Sequence, residues 1–227
     1  MAGANVKGRG IVVPDAPVLA MANRFQIHAP ETEKAVRKVE VVEDETLEKM
    51  KKAWKKCNYN YDWSKYYSKM LEIAKRLRYS AKDVENFSLA LVEFQGEKRF
   101  SEKAGLFLSA LINNSKDTVF VIHTAHFAES INHIGYLNTK NITVEGNAGD
   151  YVGGLMTSGT ITVEGDAGKK IGWLMKRGII TVKGDAGECV GSGMKDGKIY
   201  VNGEIGGISD EISHGKIYHK GELIVDM

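Results

Sequence analysis

A 19-residue self-similarity constrains this chain more than any other feature. The run Ile142 to Gly159 (ITVEGNAGDYVGGLMTSG) returns as Ile161 to Gly178 (ITVEGDAGKKIGWLMKRG), identical at 11 of 18 positions. It returns again from Ile180 to Gly197, and a weaker copy starts at Ile199. Repetition at a short fixed period means stacked supersecondary units, none able to bury its apolar face alone. Each unit opens on an apolar/polar alternation rich in β-branched residues and then runs into glycine, which excludes a regular helix and reads as short strands joined by turns.

Such a unit is one coil of a parallel β-helix, with the next coil one strand spacing along, about 4.8 Å. Equivalent residues then lie above one another. Ile142, Ile161, Ile180 and Ile199 form one inward ladder, and Val144, Val163, Val182 and Val201 a second. Three more follow: Ala148, Ala167 and Ala186; Val152, Ile171 and Val190; and Met156, Met175 and Met194. Thr143, Thr162 and Thr181 point outward. Gly146, Gly165, Gly184 and Gly203 and their partners Gly149, Gly168, Gly187 and Gly206 are the structural turn glycines, expected to serve by adopting positive φ. The fold class is mainly β: a right-handed parallel β-helix of four to five coils with an N-terminal α-helical region.

Three regions are expected: an extended arm over 1–30, a helical region over 31–115 and the β-helix over 116–227. The arm holds all three prolines. Helical reading begins at Glu31, with Leu47, Met50 and Trp54 on one face. Asp62 is expected to cap the helix that follows, Ser80 with Asp83 the next, and Ser101 the last, Glu102 to Ile112. The cluster Trp54, Tyr59, Tyr61, Trp63, Tyr66 and Tyr67 among lysines has the makings of a single-strand nucleic-acid platform. A net charge of +2 favours a helical core with solvated lysines instead, and no nucleic-acid partner. Cys57 and Cys189 lie in different segments and read as free thiols of a reducing compartment. No apolar run reaches the roughly 18 residues that span a bilayer, and the N-terminal stretch lacks a signal-peptide core. A cytoplasmic protein without a membrane partner is expected.

The succession Gly153, Met156, Gly159, Ile161, Val163, Gly165, Ala167 and Gly168, repeated one coil later, resembles the GXGXG β-helix family. Two members are similar over about residues 105–221: the C-terminal domain of the glutamate synthase large subunit, and the β-helix subunit of formylmethanofuran dehydrogenase, a tungsten or molybdenum enzyme. The lead-in Leu111 to Asn114 and Ile131 to Asn138 looks more like the dehydrogenase member. The resemblance implies a structural and interdomain role, with metal, pterin, flavin and iron–sulfur sites on other polypeptides or domains.

Candidate chemistry is sparse. Gly165 to Lys170 has neither the spacing nor the following Ser or Thr of a phosphate loop and reads as a coil corner. Asn147, Asp166, Asp185 and Glu204 stack at one corner, either as turn residues bonding to backbone or as a calcium-like ladder. His123, His126 and His133 fall in the first coil and are weak candidates for a metal such as zinc, which would want three or four convergent ligands. Cys189 aligns with Tyr151 and Lys170 on the outer side, with no base beside it. No catalytic residue and no cofactor are expected. The expected function is a non-catalytic scaffold resembling the β-helix subunit of formylmethanofuran dehydrogenase. The alternatives are a glutamate synthase-type interdomain spacer, a polypeptide that lends its histidines to interface chemistry, or a partner-binding module. Partners are other oxidoreductase subunits or a second copy. The helix before the first coil covers one end of the stack; the other, served only by Ile217 to Val225, is expected to pair with a copy or dock on a partner.

Overall fold

A computed structural model describes residues 9–12, 38–41, 43–57 and 63–227. The expected arm over 1–30 falls largely outside these residues, as do Asp62, Tyr59 and Tyr61. β1 (Arg9–Val12) pairs antiparallel with β2 (Lys38–Val41). β2 corrects the helical reading from Glu31: Lys38-Val-Glu-Val41 alternates with period two and carries β-branched residues, which suits a strand.

Four helices follow. α1 (Glu45–Lys55) is capped by Asp44, whose carboxylate accepts the Leu47 N–H at 2.8 Å. α2 (Trp63–Ala74) buries Tyr66, Tyr67, Met70 and Ala74. α3 (Ala81–Ala90) starts at the Ser80/Asp83 capping box, both halves formed. α4 (Phe100–Asn114) is buried from Phe100 through Ile112, as befits a helix held between two layers. Trp54 stands at the centre of the helical layer, fully buried against Phe94, Phe100 and Phe107. Its indole N–H donates to Glu97 at 3.1 Å, and the Lys103 ammonium sits 4.0 Å from its ring centroid.

The rest of the chain is a parallel β-helix. β3 (Val119–His123), β4 (Asn141–Glu145), β5 (Thr160–Val163), β6 (Ile179–Val182), β7 (Lys198–Val201) and β8 (Lys216–His219) stack in chain order through successive parallel pairings. β9 (Glu222–Asp226) turns back antiparallel on β8 and ends the sheet. The register realises the expected ladders: Ile142 pairs with Ile161, Ile161 with Ile180, Ile180 with Ile199. The Met ladder is buried throughout and fills the core with adaptable thioethers. The core runs without interruption from the helical layer into the coils.

The turn glycines work by a different mechanism from the expected one. Of the eight, only Gly146 has positive φ (126°). The others are needed because the chain of one coil lies directly on the next. A Cβ at Gly184 would overlap the Asp166 carboxylate and stand 2.8 Å from the Gly165 carbonyl carbon; at Gly168 it would overlap the Asp150 carboxylate and stand 2.8 Å from the Gly149 carbonyl carbon. Positive φ falls elsewhere. It recurs at Gly153, Gly172 and Gly191, and also at non-glycine columns: His133, Tyr151, Lys170 and Cys189, then Leu137, Leu155 and Leu174. Each of these side chains carries the left-handed penalty of roughly 1–2 kcal/mol, which the stack around it must outweigh.

Candidate functional site

The three candidate histidines do not converge. His123 bridges two carboxylates, Nε2 lying 3.2 Å from Glu85 on α3 and Nδ1 lying 3.1 Å from Glu145 on β4. Both of its ring nitrogens are therefore occupied by carboxylates. His126 packs on the Phe127 ring at 4.0 Å, with both nitrogens buried and unpartnered. Burial, reinforced by nearby His123, pushes its pKa down to about 4. His133 is stacked on Tyr151 and lies 4.3 Å from the Trp63 ring, and burial likewise pushes it down to about 4 against the pull of Asp150. Among the described residues no three His, Cys, Asp or Glu side chains are grouped to hold a metal. His123, through Glu85, and His133, against Trp63, instead tie the first coil to the helical layer.

The corner carboxylates bond to backbone. Asn147 accepts the N–H of Asp166 at 2.9 Å, Asp166 that of Asp185 at 2.8 Å, and Asp185 that of Glu204 at 2.7 Å. Each side-chain oxygen thus satisfies the equivalent residue one coil on, and its position is what forces glycine at 165, 184 and 203. A neighbouring ladder does the same: Lys169 N–H to Asp150, Asp150 N–H to Asn132. The Gly165–Lys170 loop is a coil corner, with Lys169 paired to Glu188 at 2.7 Å. Trp54, Tyr66 and Tyr67 are buried, so these rings face the core and not a nucleic-acid strand.

Three further features of the structure bear on the site; the bonds of the first two have no signal in the sequence. The first is the closure of the N-terminal end by hydroxyls. Ser88 on α3 accepts the His123 N–H at 3.1 Å. Ser101 on α4 accepts the Asn132 N–H, also at 3.1 Å, so the Asn132–Asp150–Lys169 ladder begins on it. Ser109 accepts from Gly135 and Tyr136 at 3.0 and 3.2 Å. Ser101 does not cap its own helix, contrary to expectation; α4 starts from Arg99 in the left-handed region (φ 59°), which frees the serine for the coil. The second is an aromatic junction, Trp63 against Tyr151 and Trp173, pinning α2 to the second and third coils.

The third feature is the far end of the stack, the best candidate for a working surface. β9 is the last strand of the sheet, with no strand beyond it among the described residues. Leu223 and Ile224 on it are 45% and 41% exposed, Met227 just after it 63%, and Ile208, in the Val190 column of the last coil, 40%. Only Val119 and Ile179 join these four among the exposed large hydrophobics of the described residues. Beside this end lies a groove of about 300 Å³ lined by Gly178, Ile179, Gly197, Lys198, Lys216 and Met227, among others. Among the described residues no helix is long and apolar enough to cross a membrane.

Comparison of the chain with family models, with curated proteins and with solved structures returns no match.

Proposed function

We propose that this protein is a non-catalytic scaffold, a rigid β-helix that docks through its C-terminal end onto other subunits of an oxidoreductase complex, in the manner of the β-helix subunit of formylmethanofuran dehydrogenase. The observation that carries the reading is the inequality of the two ends. One end is sealed by buried helices and serine hydroxyls; the other offers an unpaired strand edge with Leu223 and Ile224 exposed on it and Met227 exposed just after it. Open edges template association, and clustered apolar side chains at such an edge mark an interaction surface. The coil pattern supplies the family context; His123, held between two carboxylates, and the corner residues Asn147, Asp166 and Asp185, bonded to backbone, leave the chemistry to the partners. The alternative, a glutamate synthase-type spacer, uses the same surface against a different neighbour.

Affinity purification of the full chain from its native host, with mass spectrometry of what co-purifies, decides between them. Molybdopterin-dependent dehydrogenase subunits are the expected companions, lost with Leu223→Lys/Ile224→Lys. Glutamate synthase subunits would select the spacer. A chain that is monomeric by light scattering and carries neither set overturns both.

A further inference from the structure

The two long edges of the β-helix carry charge in opposite ways. On the edge of the Asn/Asp ladders, unlike charges alternate from coil to coil and pair: Glu164 with Lys183, Lys169 with Glu188, Glu204 with Lys220. On the other edge, cations accumulate. Lys176 and Arg177 stand in one coil and Lys195 and Lys198 in the next, all exposed, and none of the four forms an ion pair among the described residues. Lys195 reaches only the Ser213 hydroxyl, at 3.4 Å. Lys216, the residue after Lys198 in its column, pairs with Asp226 at 2.9 Å, and Asp196 accepts the Gly197 N–H. Adjacent coils are about 4.8 Å apart, so these like charges repel one another well inside a Debye length.

This edge is the bank of the 300 Å³ groove. Its floor is the glycine column Gly178, Gly197 and Gly215, all at positive φ, where an added Cβ would run into the Met156, Met175 and Met194 methyls. Ile179, Lys198 and Lys216 stand in one register column along one side, Asp196 and His214 precede the glycines on the other, and Met227 adds exposed apolar surface; Lys176, Arg177 and Lys195 adjoin the groove without lining it. Over three coils the floor runs about 10 Å, the length of three extended residues.

We propose that this groove and the cationic edge beside it bind an extended acidic segment of a partner protein, its carboxylates on Lys198 in the groove and on Arg177 next to it, and an apolar side chain on Ile179 and Met227. The proposal rests on the scaffold reading and names the partner's chemistry beside its docking end. The apolar wall favours a peptide over a free phosphate, which would leave Ile179 and Met227 unused. Single-stranded nucleic acid stacks its bases on open aromatic faces. The nearest rings, Tyr200 and Tyr218, are stacked on each other at 4.5 Å within the sheet ladder, which occupies a face of each.

The test is fluorescence anisotropy of the full chain with a labelled hexapeptide of alternating pattern, Glu-Leu-Glu-Glu-Leu-Glu. Saturable binding that weakens with added salt is expected, lowered at least about tenfold by Arg177→Glu/Lys198→Glu and unchanged by the control Lys52→Glu on α1. Absence of saturation up to about 1 mM peptide overturns the proposal, as does equal weakening by the control. So does tighter binding of pyrophosphate or of decauridine, each assigning the groove to that anion instead. The peptide measurement reports the groove alone; the Leu223/Ile224 co-purification reports the scaffold reading, so either can fail without the other.

Discussion

The two ends of the β-helix present the same problem and meet it differently. Each leaves a layer of backbone groups with no coil to bond to, and each exposes the floor of the core. At the N-terminal end the solution is side-chain chemistry in a buried setting. Ser88, Ser101 and Ser109 place hydroxyls where the missing coil would have placed carbonyls, and α4 lies so close that a Cβ at Gly105 would overlap the Asn132 carbonyl oxygen. At the C-terminal end the strand face is closed by the β8–β9 hairpin, Ile212 and Ile217 plug the core, and Leu223 and Ile224 are left in solvent. A sealed end requires specific residues with matched partners; an open one retains surface for association. The contrast places buried, matched bonds at one end and exposed apolar side chains at the other.

The largest effect that would break this contrast is expected at Gly105. In an ordinary helix interior Gly→Ala gains close to 1 kcal/mol. Here the added methyl meets the Asn132 and His133 backbone, and Gly105→Ala is expected to cost about 3 kcal/mol or more, read as a fall in the urea midpoint. A neutral result would detach the cap from the first coil.

Acid should act on the same end. His126 and His133 have folded-state pKa values near 4, below the unfolded value near 6.5. The unfolded chain therefore binds protons first as pH falls. The stability these groups hold is complete above pH 6.5, is lost progressively between 6.5 and 4, and amounts to about 2–3 kcal/mol each at the acid limit. Urea midpoints at pH 7 and pH 5 measure it. His126→Phe should flatten the slope, and an unchanged slope would place the histidine outside the buried cap.

Ser109→Ala comes next. It orphans the Gly135 N–H in a buried setting and leaves the Tyr136 N–H only the His133 carbonyl, at about 1–3 kcal/mol. Ser109→Thr keeps the hydroxyl and should recover part of the loss; equal loss in both would assign the effect to packing.

The smallest change is expected at the opposite end. Leu223→Lys in the isolated chain should stay within about 0.5 kcal/mol of the parent in thermal unfolding, while weakening partner or self association. A large loss of stability there would show that β9 belongs to the core and not to an interface.

Much of this architecture is legible in the residues. The 19-residue period specifies the coil, and the alternation Ile-Thr-Val specifies which side chains enter it, because a strand's side chains alternate with period two and a stack superimposes equals on equals. The Ser80/Asp83 box is legible because a cap is a local bond, closed within one turn. The columns at positive φ are not legible, since tyrosine, lysine and leucine carry no mark of the left-handed region; hydrogen bonds to the next coil, such as Tyr151 N–H to the Lys169 carbonyl at 2.8 Å, hold them there. The glycines are conspicuous, but their reason is a neighbour one coil away, 19 residues off in the repeat.

What the sequence by itself determined is therefore whatever repeats or closes locally: the β-helix, its inward ladders, the Ser80/Asp83 helix start and the buried Met column. What only the tertiary structure decided is whatever depends on a single meeting of distant segments. Ser101 could cap its own helix or the coil at Asn132; His123 could ligate a metal or bridge Glu85 and Glu145; Leu223 could be buried or left in solvent. A hydroxyl, an imidazole and an isobutyl group have no preference among such partners until the chain brings one within about 3–4 Å, because hydrogen bonds and dispersion contacts vanish beyond that range.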